Sequence, residues 1–516
     1  MEPTIPKRDV KDKVSIAEKP VLEEERIRDV GGSIDKSALF VKERESLYPP
    51  MLKEDEKKLL RKLDFCLVPM LFFTATLGAV DKVSLSTAAI YGLKKDTHLS
   101  GQQYSWLGSI LYIGSLVGMW PMSFVMQRQR LGKVLACVST IWSILTLLHC
   151  ACHNFGGLAA LRFLMGFMEC AIVPGCTLSI TRFYLKREQG PRLSFVFAFV
   201  SSIINGFLSW LVGYFNNNIQ KWKYLYIIIG SISFVWSVFI IFFLPDSPMN
   251  ARFLSDKEKY HVTKRVISNS TGIETNDWKW GHVLEAFCDI KIYLIFLFNI
   301  GINIPNGGLS TFNTIIINNL GFNAMESSLM SMPTGTIATI ITVLATIACT
   351  YLENWRCLVA IVNLIFPLVG SVMLYGIDRN NVAAQLVGLY LLYFYFAPYV
   401  ILISLAQANT AGNTKKTTAY SINYLGYCAG AIIGPQTFRS NQAPKYTGGF
   451  VAMMVAYCVC ILIICCYWVV CIRENKNKER KPAQDIECQQ EENSPHMSEG
   501  IFDFTDKQQR AFRYTT

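Results

Sequence analysis

The stretch "LPDSPMNARFLSDKEKYHVTKRVISNSTGIETNDWKWGHVLEAFCDIK", Leu244–Lys291, is a long polar interval inside a mostly apolar chain. On both sides lie apolar runs joined by short polar links, and about 20 such residues let a helix cross a bilayer. Six runs precede the interval, at 65–90, 103–126, 133–152, 156–184, 191–215 and 223–244. Six follow it, at 291–317, 326–349, 357–377, 383–408, 417–437 and 450–472. The pattern predicts an all-α membrane protein with twelve transmembrane helices, split six and six.

Composition agrees. The chain is 51% hydrophobic and 17% charged, where a soluble chain carries about a quarter charged residues. Charge concentrates at the ends. This predicts a disordered N-terminal tail (1–62), a first bundle (63–245), a central loop (246–288), a second bundle (289–473) and a disordered C-terminal tail (474–516). No apolar leader opens the chain, so the first span is expected to direct insertion.

The net charge of +11 comes from short basic clusters between spans, without the basic–aromatic interleaving of a nucleic-acid groove. No nucleic acid is expected. The sixteen cysteines form no CxxC pair or Cys/His cluster, so they read as small apolar filler, with no metal and no cofactor. His149 and His153 flank a loop and read as solvated.

Basic residues orient the chain. With the N-terminus inside, the cytoplasmic side receives Arg128, Arg130, Lys133, Arg182, Lys186, Arg187, Arg192, Lys415, Lys416 and the central loop. The outer side receives fewer, among them Lys94, Lys95, Lys221, Lys223 and Arg379. Both termini are therefore expected in the cytoplasm, and the sequon Asn269–Thr271 should stay unglycosylated.

Bare charge in hydrocarbon costs several kcal/mol, so charges inside spans are functional candidates. Asp81 and Lys82 lie near the outer end of the first span, and Arg162 and Glu169 lie in the fourth. Seven residues is nearly two turns, which puts Arg162 and Glu169 on one helix face about 10 Å apart. A carboxylate in a low-dielectric cavity can bind and release a proton, while a cation beside it attracts a substrate carboxylate. Asp81 and Glu169 are the proton-coupling candidates. Lys82 and Arg162 are substrate-binding candidates, although Arg162 could equally pin helices together.

The second half has no ionisable residue deep in a span. Its polar groups are amides and hydroxyls, including Asn303 and Asn306 in the seventh span and Asn423 in the eleventh. With Asn205 of the fifth span, these complete the substrate-binding candidates. Pro305, followed by Gly307 and Gly308, is expected to break the seventh helix at mid-depth, as transport sites often require.

The motifs now resemble a known family. The loop "QRQRLGK" (Gln127–Lys133) is similar to the basic loop signature of the major facilitator superfamily. The fourth span's "RFLMGFMEC" resembles the Arg-Phe-x-x-Gly-x-x-Glu pattern of its anion:cation symporter branch. Residues 96–116, 242–259, 303–308 ("NIPNGG"), 409–438 and 443–450 ("APKYTGGF") resemble the fungal allantoate permease family, over roughly 62 to 476.

That resemblance implies two pseudo-symmetric six-helix bundles facing a central cavity. It also implies proton-coupled import of a small organic anion by alternating access, with Asp81 and Glu169 at the family's proton-carrying positions. Many relatives have Arg where this chain has Lys82. Lys is a point charge without a planar fork, so a monoanion fits better than a dianion. The resemblance places the protein in the plasma membrane, with endoplasmic reticulum or vacuolar membrane as alternatives, as a monomer. A nutrient sensor with little flux, or a facilitator or exporter of the same substrates, is the alternative reading. No nucleophile–base set, metal cluster or phosphate loop suggests an enzyme.

Overall fold

A computed structural model describes residues 36–45, 47–49, 51–197, 200–215, 219–269, 279–352, 354–480, 505–508 and 512–516. The expected N-terminal tail up to residue 35, and Ser270 and Thr271 of the sequon, lie outside the described residues.

Among the described residues, twelve helical passages lie in two groups of six. Ten are long and apolar enough to cross a membrane. In the first half these are Lys53–Ile90, Gln103–Met126, Leu131–Ala151, Phe155–Phe183 and Lys221–Phe243. In the second half they are Ile290–Asn318, Ala324–Tyr351, Arg356–Gly376, Val382–Ala408 and Thr447–Lys478. The other two passages are the fifth, in two pieces (Lys186–Val196 and Ser201–Gly213), and the eleventh, Asn413–Thr437. The fifth falls short because its apolar piece, Ser201–Gly213, has only 13 residues, and the eleventh because it begins with the polar turns "NTKKTTAYS", which dilute its hydropathy.

The first span starts earlier than its apolar run, because the acidic first turn at Glu54, Asp55 and Glu56 suits a helix N-terminus. The twelfth continues to Arg480, so Glu474–Arg480 of the expected tail is helical.

The central loop holds two short helices, Asp256–Asn269 and Trp280–Phe287. Ser255 and Glu258 cap the first reciprocally, the backbone N–H of each donating to the other's side chain. Lys62 binds Glu258 (2.7 Å), while Arg265 binds Glu56 (2.9 Å) and Glu188 (2.7 Å), which ties this helix to the first half. Lys415 binds Glu285 (2.9 Å) and ties the second helix to the second half.

The halves meet at the end remote from the termini. There Tyr104 donates to the Thr311 carbonyl (2.7 Å), Ser109 to the Ile432 carbonyl (2.7 Å), and Ser105 to the Phe438 carbonyl (3.3 Å). Ser86 and Thr314 share a hydrogen bond of 2.8 Å at the same end. These bonds close that end.

One expectation is corrected. The seventh span is a single helix through Pro305. Proline costs about 3 kcal/mol in a helix interior, but neighbouring helices can offset it in a membrane. Here the eleventh and twelfth spans press on both sides: a Cβ at Gly307 would strike Ala431 backbone, and one at Gly301 would strike Cys460. The glycines serve close packing, not a break.

The break falls in the fourth span instead, at Cys170–Ala171. Pro174 has no N–H to donate to the Cys170 carbonyl, and the helix restarts at Ile172. Glu169 is the last residue before this joint.

Candidate transport site

Gly166 sets the position of the fourth span. A Cβ there would collide with the Leu111 carbonyl oxygen of the second span. Without one the two backbones touch, and Ser115 donates to the Gly166 carbonyl (3.1 Å). One turn to either side of this contact stand Arg162 and Glu169.

The four charges of the first half do not assemble as one wall. Glu169 pairs with Lys82 at 2.6 Å, across the first and fourth spans, rather than engaging Arg162. Lys82 keeps a quarter of its side chain exposed and Glu169 a tenth. This pair borders the space between the halves. Asp81 and Arg162 are each only 1% exposed and lie inside the first bundle. Asp81 accepts hydrogen bonds from Thr146 (3.1 Å) of the third span and Ser84 (3.2 Å) of its own. Arg162 donates to the Tyr226 hydroxyl (3.3 Å), and its Nε makes no hydrogen bond. Asp81 and Arg162 feel each other's charge without an ion-pair contact within 4 Å. Neighbouring positions in the sequence therefore face opposite ways, because successive helix residues are rotated by about 100°.

His149 corrects another expectation. It is fully buried, donates from Nδ1–H to the Leu145 carbonyl (2.9 Å), and stacks on Tyr226 at 4.8 Å. It braces the phenol that holds Arg162. His153 is exposed.

The second half faces the Lys82–Glu169 pair with phenols and amides. Tyr112 of the first half's second span lies with its ring 5.8 Å from Lys82 Nζ and 6.0 Å from the ring of Tyr427 of the second half. Tyr427 in turn neighbours Tyr424 (5.6 Å) and Tyr399 (6.4 Å). Beside them Tyr395 donates to Asn306 Oδ1 (2.8 Å), Asn306 donates to Asn303 Oδ1 (2.9 Å), and Asn303 donates to the Asn299 carbonyl (2.8 Å). This relay runs from the tenth span into the seventh.

Sequence reasoning singled out Asn303 and Asn306 but missed the tyrosines. The available signal was tyrosine density in "LYLLYFYFAPY" (389–399) and "YSINYLGY" (420–427), which ordinary aromatic packing would also produce. Two other candidates stand apart. Asn205 donates to Thr87 (2.9 Å) near the closed end. Asn423 lines a separate crevice with Ile295, Asn409 and Tyr467 toward the terminus end. The described residues contain no group of His, Cys, Asp and Glu able to hold a metal ion.

Two six-helix groups around a polar central space, crossing a bilayer many times, define a membrane transporter rather than an enzyme. Residues 71–435 match the Major Facilitator Superfamily. The MFS-type transporter cnsL of Penicillium expansum is 40% identical over 467 residues, 90% of this chain and 89% of that protein. The allantoate permease of Saccharomyces cerevisiae is 34% identical over 479 residues, 90% of this chain and 87% of the permease. The chain belongs to the major facilitator superfamily and, within it, to the fungal allantoate permease family. Among solved structures, the proton:xylose symporter XylE with bound 6-bromo-6-deoxy-D-glucose shares the fold, with a TM-score of 0.61 and 13% identity over 78% of this chain and 95% of XylE.

Proposed function

We propose that this transporter is a proton-coupled symporter that imports a small organic monoanion by alternating access. The observation that carries this is the 2.6 Å Lys82–Glu169 pair, bordering a space walled opposite by tyrosines and amides.

While Glu169 is ionised, it occupies Lys82. A proton arriving from the outer side neutralises Glu169 and releases the ammonium to take one substrate carboxylate. Proton and anion therefore bind together. After the halves rock, the site opens to the cytoplasm, where higher pH draws the proton off and the re-formed pair displaces the substrate. Asp81 is the second proton site, and Arg162 holds its charge from within the bundle. Because Lys82 is one point charge, a second carboxylate finds no partner; the phenols and Asn306 instead meet amide or ureido groups. Allantoate, which the yeast relative's name specifies, has this chemistry of one carboxylate and flat ureido groups, and it is the first compound to assay.

The positive charge of the links at the terminus end supports a cytoplasmic position for that end, and the plasma membrane is the proposed location. Proteoliposomes test the mechanism with allantoate and a panel of labelled organic acids. Glu169→Gln should abolish accumulation driven by a proton gradient but keep counterflow, because exchange moves no net proton. Normal accumulation by this variant would overturn the mechanism.

A further inference from the structure

Far from the central space, residues 505–508 and 512–516 lie against the terminus end of the second half. Thr505 and Asp506 are fully buried there and Tyr514 is 3% exposed. Lys415 of the eleventh span donates to Asp506 Oδ1 (2.6 Å), Lys291 of the seventh to Oδ2 (3.4 Å), and the Tyr514 hydroxyl to Oδ2 (2.8 Å). The Tyr514 ring also covers Lys291 Nζ at 3.6 Å, a cation–π arrangement.

Two asparagines grip the backbone as a strand would. Asn409, at the end of the tenth span, donates to the Thr515 carbonyl and accepts from the Thr515 N–H, both at 2.8 Å. Asn475 of the twelfth span makes the same paired contact with Tyr514, both at 2.9 Å. Thr505 donates to Glu285 of the central loop (2.8 Å), and the Arg356 N–H donates to the Thr516 carbonyl (2.9 Å). A side-chain amide that answers both polar groups of one residue recognises a peptide by its backbone, while Asp506 and Tyr514 supply the sequence specificity.

We propose that residues 505–508 and 512–516 form a detachable latch that braces the second half and favours the state open at the terminus end. The halves are bonded at the opposite end, so closing this end must bring the ends of the tenth and eleventh spans toward the first half. Those two ends carry Asn409 and Lys415, the latch's anchors. The described bonds of the latch go to the second half and the central loop, so slower exchange in the first half on release reports a change of state, whereas lost packing relayed through the loop would speed it.

Hydrogen exchange on the full chain in lipid nanodiscs tests this without a substrate. Residues 505–508 and 512–516 should be protected in the unaltered protein. Asp506→Asn, and independently Asn409→Ala, should remove that protection. Either variant should also slow exchange about threefold at the terminus ends of the fourth and fifth spans, residues 176–196, as the population shifts toward closure there. Loss of simple packing would leave those first-half segments unchanged or faster. An unprotected tail in the unaltered chain overturns the proposal, and so does a released tail with no slowing in residues 176–196.

Discussion

The two halves share a build and differ in chemistry. In the first, Gly166 lets the fourth span touch the second; in the second, Gly430 lets the eleventh touch the seventh at the Ile300 carbonyl. Yet all four charges near the middle belong to the first half, while the second half offers tyrosines and asparagines. In the proposed function this divides the labour: one half handles the proton and the carboxylate, and the other reads the rest of the substrate. Charge selection and shape selection could then change independently.

The largest effects should come from what the halves share. Gly166→Val and Gly430→Val each force a side chain into a neighbouring backbone and should cost about 3 kcal/mol or more. Both should show as lost folded yield by size-exclusion chromatography; if only one fails, the halves are not built alike. Next comes Lys82→Met, which removes a charge-assisted hydrogen bond worth about 1.5–3 kcal/mol. Substrate affinity should fall roughly ten- to a hundredfold, read by direct binding, with Lys82→Arg recovering most of it. An equal loss from Tyr427→Phe would place charge recognition in both halves.

Tyr395→Phe deletes the hydroxyl that orients Asn306, so KM should rise about fivefold, the equivalent of about 1 kcal/mol. A change in the pH profile of this variant would contradict the division. The smallest effect concerns pH at the latch. Burial alone would raise the Asp506 pKa, but hydrogen bonding from Lys415 and the charges of Lys415 and Lys291 outweigh it and hold it below the usual value. A lowered folded pKa stabilises docking above the usual carboxylate range and is lost only as pH falls through the lower value. Glu285, Asp289, Glu474, Lys478 and Tyr514 also face this cluster. Protection factors of residues 505–508 and 512–516 should therefore be equal at pH 7.5 and about pH 5.5.

The spans were legible because about 20 apolar residues between polar links admit few other structures. The first central-loop helix carries a signal in the sequence, Ser255 followed three residues later by Glu258, the pair that caps it. The partners of the charges were not. Spacing put Arg162 and Glu169 on one face, but only the position of the first span decides that Glu169 meets Lys82. Pro305 misled because a local penalty was weighed without the neighbours that offset it. The docked end of the chain was hidden for a related reason. "FTDKQQRAFRYTT" has the composition of a solvated tail, and Asp506 and Tyr514 become informative only beside Lys415 and Lys291, roughly a hundred to two hundred residues away in sequence.

The two helices of the central loop carry a last consequence. One is fastened to the first half through Glu258 and Arg265, the other to the second through Glu285. From Asn269 to Lys279 the chain is ten residues long, which can reach at most about 35 Å. The connector is therefore a leash of fixed length. It leaves the terminus ends of the halves free to approach each other, but it caps how far they can part and so limits the width of the opening through which cargo leaves.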